Sequence, residues 1–541
     1  MAYTAHVDTF ARDLLPAADR LPEFLFELPE LQYPKRMNCA VELLDRMVEK
    51  GHADRPAIHA DIDGRRYCCT YRQLLTRANQ IAHVIRKDWK LVPGARVLLR
   101  GPNNPMMVAC WFAIIKAGCI AVATMPLLRA RELKQIIDKA KIGAALCDIR
   151  LDEDMEIARS QCPELKQLLY FNDPRRGALE DLLEFHPEEF KNADTAVDDI
   201  ALIAFTSGTT GQPKGCMHFH RDVMAMNDCF PNSCLKPGKK DIICGTPPIA
   251  FTFGLGGMVG FPMRYGASTV LVEKLTPELL LDIIQKFRAT ICFTAPTFYR
   301  QMAQSAKNYD LASLRACVSA GEALPDATRQ AFKAATGIEI IDGLGSTEMI
   351  HIFISHSVDR VRRGATGYAI PGYRAMVLDE HGRPCPPGTV GRLAVKGPTG
   401  CRYLADERQK NYVQHGWNIT GDAYKMDEDG YFYYQARTDD MIISAGYNIA
   451  GPEVESALLE HSAVSECGVV GVPDEERGQI VKAFVVLKSG FSADETMIKT
   501  LQDHVKAAIA PYKYPRRMEF VPSLPRTETG KLQRFKLRHT G

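Results

Sequence analysis

The sequence predicts an α/β fold: a large N-terminal domain of parallel sheets flanked by helices, followed by a small, mobile α+β C-terminal domain. Three observations lead there. From Val97 onward, short apolar runs alternate with helical stretches, the rhythm of strands and crossover helices in a parallel sheet. Near Ala436 that rhythm gives way to mixed helix and strand patterns, and residues 441–541 are enough for one small domain. The full 541 residues are too many for a single hydrophobic core. Domains are therefore expected at residues 1–437 and 441–541, with a short polar hinge at 438–440.

Helical periodicity in residues 39–49 and 71–86 marks a lead-in region. Arg96-Val97-Leu98-Leu99 reads as a strand ahead of a helix from Met106. Ala121-Val122-Ala123 reads as the next strand, residues 133–140 as a helix, and residues 144–147 as a third strand. Ile200-Ala201-Leu202-Ile203-Ala204-Phe205 is a buried strand. The rhythm returns at residues 268–272, 290–293 and 316–318. In the C-terminal part, 452–460 and 497–509 read as helices, and 466–470 and 483–487 as strands. There is no fixed-period repeat and no low-complexity segment.

Composition excludes several classes. At 46% hydrophobic and 24% charged, the chain is an ordinary globular one. A formal net charge of +2 provides no global field for nucleic acid or a membrane surface. The 16 cysteines are scattered without a C-x-x-C pair, which argues against a zinc ribbon or disulfide scaffold and points to a reducing, cytoplasmic setting. Residues 1–22 lack the apolar core of a secretory signal. The apolar stretch 106–128 is interrupted by Lys116 and Gly118 and ended by Pro126, so it reads as a core helix and strand.

The strongest chemical signal is Thr206-Ser207-Gly208-Thr209-Thr210-Gly211-Gln212-Pro213-Lys214-Gly215, directly after the strand at 200–205. Glycines let backbone N–H groups converge on an anion, hydroxyls add donors, and the lysine adds charge. Such a loop holds a polyphosphate. It is not a Walker loop, because Pro213 stands where that pattern needs its second glycine. The second signal is Asp342-Gly343-Leu344-Gly345-Ser346-Thr347-Glu348, read as a strand at 339–341 running into a double-glycine turn. A carboxylate near a polyphosphate is useful with a divalent cation between them, which makes Glu348 a magnesium candidate. The same residues also suit a helix N-terminus capped by Ser346 or Thr347. Third, the small-residue turn Ser319-Ala320-Gly321-Glu322-Ala323-Leu324 at a strand's carboxyl end lets a flat ring approach the backbone, or is only a turn. Fourth, Asp422 in Thr420-Gly421-Asp422 suits a ribose, with Arg437 near the same sugar. Fifth, Pro525-Arg526-Thr527-Glu528-Thr529-Gly530-Lys531 offers a lysine either as a catalyst or as a solvated tail residue.

Together, in this order and at these spacings, the five segments resemble the acyl-adenylate-forming superfamily over nearly the whole chain. The resemblance implies ATP, Mg2+ and coenzyme A as reactants. It implies a two-step reaction through an acyl-adenylate to a thioester. It makes Lys531, Thr206 and Glu348 catalytic, with Glu348 on the metal. It assigns the phosphates to Thr206, Ser207, Gly208, Thr209, Thr210 and Lys214. The adenine falls to Gly321, Glu322, Ala323 and Asp342, with Gly343, Leu344, Gly345, Ser346 and Thr347 completing the nucleotide site. The ribose falls to Asp422 and Arg437. It also implies a rotation about Asp439 that withdraws Lys531 and presents Ser444, Ala445, Gly446 and Tyr447 to coenzyme A. Lys513 and Arg516, with Arg517, either meet the phosphates of coenzyme A or form a solvated basic loop.

Residues 342–353, the run Phe251-Thr252-Phe253-Gly254-Leu255-Gly256 and the ending from Lys531 to Leu537 are similar to the aryl-CoA ligases acting on benzoate and 2-aminobenzoate. Phe10-Ala11-Arg12-Asp13 and residues 28–34 resemble the 2-aminobenzoate branch. The resemblance makes Phe251, Thr252, Phe253, Ala320, Gly345, Ile350 and His351 the acyl pocket of a small-molecule aromatic acid. A medium-chain fatty acyl-CoA synthetase and a non-catalytic nucleotide-binding relative are the rival readings. No nucleic acid or membrane partner is expected, and a homodimer is the assembly that the resemblance suggests.

Overall fold

The computed structural model describes residues 3–62, 65–206, 213–437, 440–444, 447–474, 477–526 and 531–539. Two large sheets dominate. In the nine-stranded sheet, Ile340–Gly345, Ala316–Ala320, Ile291–Thr294, Ile242–Gly245, Ser268–Leu271 and Pro56–Ile62 run parallel in that spatial order. Antiparallel strands close both edges. In the six-stranded sheet, Gln167–Phe171, Ala144–Asp148, Arg96–Arg100, Ile120–Thr124 and Ile200–Thr206 are parallel, and Lys214–Phe219 returns antiparallel.

The apolar stretch from Met106 is the core helix Pro105–Lys116 followed by the strand Ile120–Thr124. Asn104 caps the helix by accepting from the Met107 N–H, and Pro105 opens it. All of its residues are buried. Lys116 is tolerated there because Asp45 takes its ammonium in two hydrogen bonds of 2.5 and 2.6 Å. The amphipathic helix Tyr71–His83 packs beside it, started by a capping box of Thr70 and Gln73. No helix among the described residues is long and apolar enough to cross a membrane.

A third sheet departs from the parallel rhythm. Arg374–Leu378, Gly391–Lys396, Trp417–Met426, Val413–Gln414 and Phe432–Arg437 pair antiparallel. Several of these strands succeed one another through short connections without a helix, and such links can only join antiparallel neighbours. The C-terminal part forms a separate sheet around the hairpin Val464–Asp474 and Gly478–Leu487, with Arg517–Phe520 parallel to the second strand. The helices Gly451–Glu460 and Glu495–Ala508 cover it with Val454, Leu458, Leu501 and Val505.

Two local expectations are corrected. Gly343 and Gly345 do not make a turn, since the strand Ile340–Gly345 runs through both. Their missing side chains permit close packing: a Cβ on Gly343 would lie 2.5 Å from Ile352 Cδ1, and one on Gly345 2.7 Å from the His351 carbonyl oxygen. Nor does a helix start at Ser346 or Thr347; residues 346–350 form a tight turn.

Candidate active site

The strand ends of both sheets gather the motifs. Thr206 closes the strand Ile200–Thr206 and pairs with Lys214, the first residue of the antiparallel return strand. Ser207, Gly208, Thr209 and Thr210 lie outside the described residues. The Lys214 ammonium donates to the Tyr403 hydroxyl at 3.3 Å.

The turn after Gly345 is held from several sides. Met349 N–H donates to the Ser346 carbonyl at 3.2 Å and Ile350 N–H to that of Thr347 at 3.1 Å. Ile350 is forced to φ +65°, a left-handed conformation costly for a β-branched residue. The Tyr412 hydroxyl meets Ser346 Oγ at 3.2 Å, and His218 Nε2 meets the Thr347 carbonyl at 2.8 Å. The Tyr403 hydroxyl donates to Glu348 Oε1 at 2.5 Å. Behind His218, the buried Arg402 donates to Asp222 at 2.6 Å, and His218 Nδ1 lies 3.7 Å from the same carboxylate. Burial opposes the charge on His218, but Cys216 and Asp222 outweigh it and raise the imidazole to about 9. His218, Tyr403 and Tyr412 belong to none of the motifs read from the sequence. Their places come from contacts between distant segments, for which local composition carries no signal.

Among the residues expected at the nucleotide, Gly321 sits at φ +90°, and a Cβ there would lie 3.7 Å from Lys531 Cε. The C-terminal segment thus reaches the turn after Ala320. Glu322, expected at the adenine, touches that segment. It accepts from the Leu532 N–H at 3.2 Å and from Arg526 at 3.4 Å. Its carboxyl is raised by burial, with Arg526 opposing. Arg300 adds a further tie by donating to the Val464 carbonyl at 3.0 Å. Ala323 lies in an irregular stretch, and Leu344 packs against the main core. Asp342 is buried at the strand end, which pushes its carboxyl up to about 8. Its N–H donates to His356 Nε2 at 3.1 Å, while Ser355 Oγ donates to its carbonyl at 2.6 Å. Asp422 accepts from Arg437 at 3.0 Å; burial raises its pKa and Arg437 opposes. Gly421, at φ +77°, leaves room for that arginine, since a Cβ would lie 2.8 Å from Arg437 Nη2.

The acyl-pocket candidates divide. Phe253 and His351 stand together, ring centroids 5.6 Å apart, with Phe230 and Phe261 also around the imidazole at 5.9 and 4.8 Å. Ile350 and Ala320 are buried on the strand-end segments. Phe251 and Thr252 line a small apolar cavity with Trp111, Ala121 and Ala204. Phe251 precedes and Phe253 lies within the turn Thr252–Gly254, so their side chains take different directions. His351 is 3% exposed; neither ring nitrogen makes a hydrogen bond of good geometry among the described residues, though the Phe253 backbone lies close enough to favour its proton. Burial depresses it to about 3, so the imidazole is neutral.

The candidates for coenzyme A are partly engaged within the C-terminal part. Ser444 Oγ accepts from Arg477 at 3.2 Å. Lys513 donates to both oxygens of Glu453 at 2.6 and 2.7 Å, and Arg516 to the Tyr514 hydroxyl at 2.9 Å. Neither is simply a solvated basic group in this arrangement. Tyr447 lies in the strand Tyr447–Ile449. Ala445, Gly446 and the hinge candidate Asp439 lie outside the described residues.

Residues 44–403 match the AMP-binding enzyme model and residues 453–531 its C-terminal domain model. The chain belongs to the AMP-binding enzyme family. It is 34% identical over 517 residues to benzoate–CoA ligase of Thauera aromatica, covering 94% of this chain and 97% of that protein. The anthranilate CoA ligase AuaEII, solved in complex with anthranoyl-AMP, superposes with a TM-score of 0.89 at 34% identity, covering 95% of this chain and 99% of that one. A benzoate CoA ligase from Burkholderia xenovorans LB400 gives a TM-score of 0.84 at 32% identity, covering 93% and 100%. The chain is an AMP-forming acid–thiol ligase, and the use of ATP and coenzyme A fits that membership.

Among the described residues of this AMP-binding enzyme, no group of three His, Cys, Asp or Glu could hold a metal by itself. Glu348 is a buried carboxylate whose partner Tyr403 also meets Lys214. That donor set fits magnesium, which takes one or two carboxylates and completes its octahedron with phosphate oxygens and water.

Proposed function

We propose that this ligase activates 2-aminobenzoate, and benzoate next, before passing the acyl group to coenzyme A. The carboxylate oxygen attacks the α-phosphorus of ATP; the new O–P bond forms as the bond to pyrophosphate breaks. The thiol of coenzyme A then attacks the acyl carbon, forming C–S as C–O breaks and AMP leaves. Thr206 and Lys214, with the loop between them, hold the phosphates. Gly321, Ala323 and the Asp342–Gly345 stretch leave space for the adenine, and Asp422 accepts from the ribose hydroxyls. Lys531 neutralises charge as the carboxylate reaches the phosphorus. Glu348 would hold magnesium together with the nucleotide, and the ion, when bound, would supply charge neutralisation on the phosphates.

The observation that carries the choice of acid is the buried, neutral His351 among Phe230, Phe253 and Phe261. Aromatic walls suit a flat ring, and a neutral imidazole nitrogen can accept from an ortho amino group. The benzoate and anthranilate ligases among its relatives support the same class of acid. The test is AMP release with ATP, magnesium and coenzyme A across 2-aminobenzoate, benzoate, 2-fluorobenzoate, 4-hydroxybenzoate and octanoate. Turnover confined to plain or ortho-substituted benzoates supports the reading; preference for octanoate overturns it. His351→Ala and Thr252→Ala, assayed with both acids, test the amino-group contact. An unchanged preference for 2-aminobenzoate over benzoate in both variants would sink it.

A further inference from the structure

We propose that Tyr403 is a positioning residue that ties the phosphate-loop lysine to the magnesium-site carboxylate, so that the two halves of the polyphosphate site set as one unit. The bridge rests on the proposed roles of Lys214 at the phosphates and Glu348 at the metal. The hydroxyl of Tyr403 accepts from the Lys214 ammonium at 3.3 Å and donates to Glu348 Oε1 at 2.5 Å. A phenol has one proton to give and lone pairs to receive, so it can serve both neighbours at once. The order ammonium, hydroxyl, carboxylate gives every bond in the chain the same polarity, and both ends are charge-assisted.

The tyrosine is well placed to transmit position. It is 2% exposed, and its own N–H donates to Gln409 Oε1 at 2.9 Å. Its ring stands edge-on to Tyr412, centroids 5.9 Å apart, and Tyr412 in turn meets Ser346 at 3.2 Å. The segment around Tyr403 also bridges to Cys216, two residues beyond Lys214. One short segment therefore touches both the hairpin that carries Lys214 and the turn that carries Glu348. Mere core packing would require only the ring, and Phe supplies that.

The test is Tyr403→Phe in the full chain, read by equilibrium binding of ATP with Mn2+ as the paramagnetic stand-in for magnesium, and of ATP alone in EDTA. Loss of a charge-assisted bond on each side is expected to weaken binding of the Mn2+–ATP complex about tenfold. Metal-free ATP is expected to weaken less than about threefold, and the KM for the acid to stay within about twofold. A cycle with Lys214→Met separates coupling from packing: the two substitutions are expected to be non-additive, because either one breaks the bridge. Equal weakening with and without metal, or strict additivity, would overturn the proposal. Glu348→Gln tells the two readings apart. If it binds Mn2+–ATP like the wild type, the assignment of Glu348 fails. If it weakens while Tyr403→Phe does not, the assignment stands and the bridge fails.

Discussion

Glu322→Ala removes the carboxylate through which the large domain holds the C-terminal segment. Among the described residues, two contacts to that segment go, the Leu532 N–H at 3.2 Å and Arg526 at 3.4 Å, and the Thr297 hydroxyl loses an acceptor at 3.5 Å within the large domain. Leu532 is the residue after Lys531, so the first contact bears directly on where that lysine stands. A hydrogen bond to a charged group contributes roughly 1.5–3 kcal/mol when buried. Both bonds here are long, and the Arg526 and Glu322 side chains are 26% and 22% exposed, so screening reduces them. Arg526 also keeps Glu466 at 2.9 Å, so the substitution leaves no buried cation without a partner. About 1.5 kcal/mol remains for the pair of contacts, equivalent to roughly a tenfold loss of the arrangement that brings Lys531 to Gly321. The assay is rapid-quench measurement of pyrophosphate release, set against thioester formation from supplied acyl-adenylate. The ratio of the first rate to the second is expected to fall about tenfold, and about threefold for Glu322→Gln, which keeps an acceptor for the backbone N–H. An unchanged ratio, or equal loss of both rates, would refute the clasp.

Lys531→Ala is expected to abolish adenylate formation yet spare thioester formation from supplied acyl-adenylate; loss of both steps would remove the division of labour between them. His351, depressed by burial from 6.5 to about 3, takes up no proton in the folded state where the unfolded chain does. Its contribution to stability is therefore present above pH 6.5 and lost as pH falls toward 3, at about 1.4 kcal/mol per pH unit. In His351→Phe, the slope of urea-derived stability against pH in that window should decrease by one proton, with His220, also near 3, still contributing. An unchanged slope would mean that His351 is not held neutral. Gly345→Ala places a methyl 2.7 Å from a backbone oxygen that cannot swing aside. A cost of about 1–3 kcal/mol in stability and a drop in AMP release of more than about tenfold are expected; wild-type melting and turnover would show the strand has room after all.

Much of the architecture is legible along the chain. The parallel strands of both large sheets announce themselves as short apolar runs between helical stretches, because a strand covered on both faces can be apolar throughout. The core helix at residues 105–116 is equally plain, since the lone Lys116 and the nearby Gly118 and Pro126 deny it the length of a span. The antiparallel sheet at residues 374–437 is not, as its strands mix polar and apolar residues without a strong period. The two glycines at 343 and 345 mislead for a related reason. Glycine signals either a turn or a close approach, and only the neighbouring Ile352 and His351 backbone decide which.

The amino-acid sequence by itself determined the chemistry at hand: a glycine- and hydroxyl-rich loop, a carboxylate after a strand, an aspartate and a lysine near the end. Those are local patterns, and residue type with spacing is enough to write them. The fold alone decided which of these groups meet. Glu322 meets Leu532 and Arg526, and Lys513 meets Glu453. Tyr403, silent in the sequence, came to stand between Lys214 and Glu348 across separations of 189 and 55 residues. Contacts at such range depend on sheet order and strand register, which arise from the burial of the whole core and leave no mark on the residues nearby.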